Sequence, residues 1–90
     1  MMYVKYTIID VREPEEYQGG HVAGALNIPP AQLISGATQV GSLPKNSNII
    51  VYCRSGSRSN VAMNILSNLG FTNITNGINK EQVEAKLGLR

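Results

Sequence analysis

Ile49-Ile50-Val51-Tyr52-Cys53-Arg54-Ser55-Gly56-Ser57-Arg58-Ser59 is the stretch that decides the fold. Its first four residues form an apolar, largely β-branched run of the length and composition of a buried strand. The next seven are polar and mostly small, which marks a loop. A helical pattern follows over about Arg58 to Leu69. Val61, Ile65 and Leu69 recur every four residues, as do Ala62 and Leu66, and together they make one apolar stripe. Gly70 stands where a C-terminal glycine cap belongs. Strand, loop and helix in that order are the opening of a βαβ unit.

The flanking sequence repeats the alternation. Thr7-Ile8-Ile9-Asp10-Val11 predicts another buried strand, ending at Arg12-Glu13-Pro14. Pro14 suits the first turn of a helix, and Glu13, Glu15 and Glu16 are read as exposed side chains that compensate its dipole. Gly19-Gly20 ends that helix. Ala25 to Ile28 predicts a brief strand, and Pro29-Pro30 opens a helix over Ala31 to Ile34. Residues 35 to 48 are rich in Ser, Gly, Asn and Pro and are read as a loop. Phe71 to Thr75 predicts a last strand, Asn76-Gly77 a turn, and Lys80 to Leu87 a final helix. Strands alternating with helices imply a mostly parallel sheet covered on both faces, with ligands beyond the carboxyl ends of the strands.

Ninety residues suffice for a single domain, 1–90. A core of that size excludes roughly 60–65% of the unfolded surface from water. The chain is 42% apolar and 16% charged, which argues against disorder. One cysteine and one histidine exclude a disulfide framework and the usual multi-cysteine zinc site, so neither metal nor cofactor is expected. A net charge of +2 without a basic run gives no nucleic-acid surface. No segment approaches the ~18 consecutive apolar residues of a membrane span, and the first ten residues lack the pattern of a secretion signal. The expected location is the cytoplasm, or the periplasm for a chain whose signal has been removed.

Cys53 sits at the end of the central strand, so its backbone is fixed. Gly56 allows the chain to curl, and the small Ser55, Ser57 and Ser59 let the loop amides approach a ligand. The following helix adds its N-terminal amides, and Arg54 and Arg58 add two guanidinium groups. All of these favour thiolate over thiol, and the thiolate is the nucleophile. Alone, a cysteine ending a strand is more often a small buried hydrophobe. The adjacent Arg-x-Gly-x-Arg shifts the reading to an accessible, activated thiol. Spacing then separates two chemistries. Protein tyrosine phosphatases use Cys-x5-Arg, whereas Cys53 and Arg58 form Cys-x4-Arg. A loop one residue shorter suits a single sulfur on the cysteine better than a tetrahedral phosphate.

Three segments resemble the rhodanese-type sulfurtransferases, most closely the small single-domain members of the phage-shock type. The first is the loop from Cys53 to Ser59. The second is Ile9-Asp10-Val11-Arg12-Glu13-Pro14-Glu15-Glu16-Tyr17, continued by Gly20-His21-Val22-Ala23-Gly24-Ala25-Leu26-Asn27-Ile28-Pro29. The third, weaker, is Leu69 to Ile74 with Asn76-Gly77-Ile78, where Asn76-Gly77 stands for a usual Gly-Gly and no Trp follows. The resemblance implies a three-layer α/β/α rhodanese-like fold with a small, mostly parallel sheet of four to five strands. It implies a sulfane sulfur taken from thiosulfate or a similar donor, carried as a Cys53 persulfide, and passed to cyanide or a thiol. A thioredoxin-like protein or glutathione would be such a thiol acceptor. Cys53 is then the catalytic residue, and Arg54, Ser55, Gly56, Ser57, Arg58 and Ser59 bind the substrate. The domain is expected to act as a monomer.

Asp10 and Arg12 stand two apart at a strand end, so their side chains start on the same side. They are read as a fold-supporting pair. His21 invites a Cys–His reading, but in the resemblance it supports a turn. The tyrosines are read as packing residues, with Tyr52 a candidate for the pocket border. Two other functions compete: a rhodanese-like interaction or regulatory module, which usually lacks the cysteine, and a small phosphatase or arsenate-handling enzyme.

Overall fold

The structure, a computed structural model, describes residues 5–35 and 38–88. Four strands are present in this range: β1 (Tyr6–Asp10), β2 (Leu26–Asn27), β3 (Asn48–Cys53) and β4 (Asn73–Asn79). Five helices join them: α1 (Pro14–Gln18), α2 (Pro30–Ile34), α3 (Thr38–Gly41), α4 (Ser57–Asn68) and α5 (Lys80–Leu87). The strands form one parallel sheet in the order β2-β1-β3-β4.

Strand periodicity divides the interior into two cores. Ile49, Val51 and Cys53 of β3 point to one face with Ile9 and Val11, against Leu33, Val40, Ala62, Leu66 and Phe71. Ile50 and Tyr52 point to the other face, where they meet Val22, Ala25 and Val83 with Tyr17 and Leu87 packed alongside. Helices α2, α3 and α4 thus cover one face, and α1 and α5 the other. This is the α/β/α architecture expected from the alternation, with the described sheet at four strands. All of Ile49 to Cys53 is buried, as a central parallel strand requires.

Two segments depart from the sequence reading. Residues 35 to 48 are not all loop: α3 lies within them, and Val40 is buried in the first core. One turn of helix is too short to show a periodic pattern, so only its tertiary contact defines it. Residues 36 and 37 of that predicted loop, and residues 1–4 before β1, lie outside the described range. The predicted turn at Asn76-Gly77 is instead the middle of β4. Val51 pairs with Asn76 and Tyr52 with Ile78, which leaves Gly77 as the extra residue of a bulge. The turn preference of Asn-Gly is local, and pairing with the buried β3 overrides it. Boundaries also move: β4 runs to Asn79, and α4 begins at Ser57.

Gly77 is required sterically. A Cβ there would collide with the Val83 side chain and lie 2.8 Å from Ile50 Cγ2. Gly77→Ala is expected to destabilise the domain by about 2–3 kcal/mol, as overpacking of a tight core does. Urea unfolding checks it, and a loss within about 0.5 kcal/mol would mean that α5 moves aside freely.

Candidate active site

β3 ends at the carboxyl edge of the sheet, and Cys53 is its last residue. The chain then turns through Arg54, Ser55 and Gly56. Gly56 precedes α4 with φ of 97°, a left-handed conformation that suits glycine. This brings the Gly56 N–H back to Cys53 Sγ at 3.1 Å. Ser59, one turn into α4, is fully buried, and its Oγ lies 3.5 Å from the sulfur. The α4 N-terminus adds its positive end.

Cys53 is only 2% exposed. The thiol expected at an accessible position is thus part of the first core, because β3 alternation turns it toward α4. Burial pushes the thiol pKa up, but hydrogen bonds from the Ser59 hydroxyl and from the N–H groups of Ser59, Ser55 and Gly56 outweigh it. The net value falls to about 7. Roughly half of the sulfur is then thiolate at neutral pH, against a few per cent for an ordinary cysteine of pKa about 8.5.

A cavity of about 230 Å³ opens beside the sulfur, lined by Arg12, Cys53, Arg54, Asn79, Lys80 and Glu81. Three of these residues are cationic, which suits a small anion. Asn79 caps α5 by accepting from the Gln82 N–H at 2.9 Å, which fixes the start of that helix at the cavity wall. Lys80 pairs with Glu84 at 3.2 Å. The contribution of Asn79, Lys80 and Glu81 was not read from the sequence. The rule that ligands sit beyond strand carboxyl ends would have pointed to the β4–α5 junction once β4 was known to reach Asn79.

Of the loop residues, Arg54 lines the cavity, Gly56 and Ser59 contact the sulfur, and Ser55 faces it through its backbone. Ser57 is exposed at the first position of α4. Arg58 does not line the cavity. Its guanidinium reaches back to α1, donating to Glu16 Oε1 at 2.7 Å and Oε2 at 3.2 Å. Glu16 is therefore not merely a dipole-compensating surface residue. Its Oε1 also accepts from the Glu13 N–H at 3.0 Å. The bond from Arg58, then that from Glu13, lowers the Glu16 carboxyl to about 2. The pair is separated by 42 residues and is invisible to local pattern.

A carboxylate with a lowered native pKa contributes stability above its unfolded pKa and loses it as pH falls through the native value. Glu16→Gln is expected to cost under about 1 kcal/mol, since the pair is partly solvated. It should also flatten the fall in stability between about pH 4.5 and 2, where the native Glu16 would otherwise be protonated. Unfolding midpoints across that window check it, and an unchanged acid slope would contradict it.

Asp10, Arg12 and Tyr52 form a buried cluster under the cavity. The Asp10 carboxylate accepts from Arg12 Nη2 at 2.7 Å, Arg12 Nε at 2.9 Å, the Arg12 N–H at 2.9 Å and Tyr52 Oη at 2.8 Å. Arg12 Nη2 also donates to the Gly20 carbonyl at 2.6 Å. Tyr52 does not border the pocket. It is fully buried on the face opposite Cys53, and its hydroxyl accepts from the Val22 N–H at 3.0 Å. Burial pushes its phenol up. His21 stands away from the cavity lining. Its Nδ1 donates to the Tyr17 carbonyl at 2.8 Å, and its ring stacks on Tyr17 at 3.6 Å, within the turn after α1.

The chain is similar to known proteins in sequence and in fold. The family model for the rhodanese-like domain matches residues 2–80. Thiosulfate sulfurtransferase PspE of Escherichia coli is 46% identical over 69 residues, which is 76% of this chain and 64% of that protein. Chloroplastic thiosulfate sulfurtransferase 16 of Arabidopsis thaliana is 33% identical over 99% of this chain and 82% of its own length. The first three curated relatives are spanned over 56 to 64% of their lengths. Among solved structures, a rhodanese with anions from E. coli superimposes with a TM-score of 0.77 at 37% identity, covering 87% of this chain and 91% of that one.

Proposed function

Because the chain belongs to the rhodanese-like domain family, we propose that it is a sulfurtransferase that moves a sulfane sulfur from thiosulfate or a similar small anion through a Cys53 persulfide. The observation that carries this reading is the sulfur of Cys53 at 3.1 Å from the Gly56 N–H, on the wall of a cavity that also holds Arg12, Arg54 and Lys80. In the first half-reaction the thiolate attacks the outer sulfur of thiosulfate. A bond forms between Sγ and that sulfur, the sulfur–sulfur bond of thiosulfate breaks, and sulfite leaves with the electron pair. The cations of the cavity favour the dianion's approach. The loop amides favour the negative charge that ends on the terminal persulfide sulfur. In the second half-reaction a nucleophile, cyanide or a thiolate, attacks that terminal sulfur and restores the Cys53 thiolate.

Arg12 supplies only part of its charge to the cavity, because it is held two-pronged by Asp10. Arg54 is exposed and has no ion-pair partner among the described residues, so it is the better first contact for the donor. Arg58 acts through its field and through α1, not by direct contact. Among the described residues no aromatic side chain lines the cavity, which is small and fits compact anions.

Turnover of thiosulfate with cyanide, measured beside hydrolysis of an aryl phosphate, tests the reading. Thiosulfate should be the faster substrate. Its kcat/KM should rise with pH through about 7, falling roughly tenfold for each unit below that, because the thiolate is the reacting form. Faster hydrolysis of the aryl phosphate would overturn it.

A further inference from the structure

Asn76, on β4, touches the cysteine loop at two points and its own strand at a third. Its Nδ2 donates to the Gly56 carbonyl at 3.1 Å. Its Oδ1 accepts from Ser59 Oγ at 2.6 Å and from the Ile78 N–H at 2.9 Å. Ile78 is the one described non-glycine residue with positive φ, at 75°. A β-branched residue is strained in that region. The Ile78 side chain lies against Gly56, where a Cβ would be 3.5 Å from its Cγ2. The Asn76 side-chain amide therefore holds a strained backbone and the loop together.

Ser59 Oγ carries one proton and has two acceptors within reach, Asn76 Oδ1 and Cys53 Sγ. With Cys53 as a thiol, both needs are met: S–H donates to Ser59 and Ser59 donates to Asn76. When the thiol loses its proton to water, the sulfur becomes an acceptor only. The Ser59 proton must then turn from Asn76 to the sulfur, or the thiolate forgoes it.

We propose that Asn76 is a positioning residue for Cys53, competing with the sulfur for the Ser59 proton and thereby setting the pH at which the thiolate forms. This rests on the reading of Cys53 as the nucleophile. The other groups facing the sulfur do not substitute for it. Arg12, Arg54, Lys80 and Glu81 line the cavity, and Arg58 is held by Glu16. The hydrogen bonds of Ser59 Oγ run to Cys53 and Asn76, not to these groups. Asn76 and Ser59 instead change partners with the protonation state of the sulfur.

The test is the rate of iodoacetamide alkylation of Cys53 against pH, in the full chain. Ser59→Ala removes the proton and should raise the midpoint. Asn76→Ala frees the proton for the sulfur and should lower the midpoint by about half to one unit, the scale of one hydrogen bond. At pH 6 it should alkylate about three to five times faster than wild type. A midpoint that stays, or rises as in Ser59→Ala, overturns the proposal, since mere loosening of the loop would remove donors from the sulfur. Asn76→Asp, close in shape, covers the case in which the alanine variant does not fold. Its carboxylate should hold the Ser59 proton more tightly and raise the midpoint, and an unchanged or lower midpoint overturns the proposal as well. Alkylation needs no sulfur donor. A chain that shows these shifts but does not turn over thiosulfate supports this inference and contradicts only the sulfurtransferase reading.

Discussion

Cys53→Ser is expected to reduce thiosulfate turnover by at least about 10³-fold, as loss of a covalent nucleophile does. The serine hydroxyl is the same shape but holds its proton far above neutral pH, and oxygen cannot store a sulfane sulfur. The change should leave the fold intact. A hydroxyl at this position can still accept from the Gly56 N–H and meet Ser59 Oγ, the partners that the sulfur now has. The expected stability change is therefore within about 1 kcal/mol. Thiocyanate formation and a thermal melt on the same preparation check both halves. Turnover within tenfold of wild type would remove Cys53 from the reaction. Loss of turnover together with a collapsed melt would assign the residue a packing role in the first core instead.

Asp10→Ala is expected to have the largest effect on stability, about 3–5 kcal/mol. Asp10 is fully buried and accepts from Arg12 and from Tyr52. Removing the carboxylate leaves a guanidinium nearly buried, with its side chain 12% exposed, and without its counter-charge. It also leaves the buried Tyr52 hydroxyl without an acceptor at that site. A domain of this size commonly has 5–15 kcal/mol in total. Each kcal/mol shifts the melting temperature by about 4–8 °C, so the variant should melt at least about 12 °C below wild type. A shift under about 5 °C would mean that water enters and replaces the carboxylate. The consequence reaches function, because Arg12 lines the cavity and is aimed by Asp10.

The parts of the molecule that were legible in the sequence are those with a short period. Ile49 to Tyr52 is apolar throughout because both of its faces are covered, and Ala62 and Leu66 stand four apart because that face of α4 is covered, whereas Val61 and Leu69 of the predicted stripe are 50% and 40% exposed. Those patterns place Cys53 between a buried strand and a helix, which is the essential geometry of the site. The same period-two rule that turns Cys53 toward α4 turns Tyr52 to the opposite face, so its absence from the pocket was implicit in the strand itself. What escaped is nonlocal. Arg58 looks like a ligand for an anion because the sequence does not reveal that Glu16, on α1, already occupies it. Asn76-Gly77 looks like a turn because that dipeptide favours one. Only the pairing of β4 with β3 shows a bulge at Gly77 and an Asn76 side chain aimed at the cysteine loop. The one-turn helix α3 leaves no periodic trace and is defined by Val40 in the core.

These elements converge on one atom. The buried strand fixes Cys53, the glycine turn brings an N–H to its sulfur, and the cavity brings cations beside it. On the proposed function, their joint consequence is a sulfur that accepts and holds another sulfur. The most direct test is the intact mass of the protein after incubation with thiosulfate and removal of the small molecules. The account predicts a gain of about 32 Da, one sulfur per chain, reversed by a thiol and absent from Cys53→Ser. A folded protein that gains no mass from thiosulfate or other sulfane donors, or a gain that survives in Cys53→Ser, would contradict it.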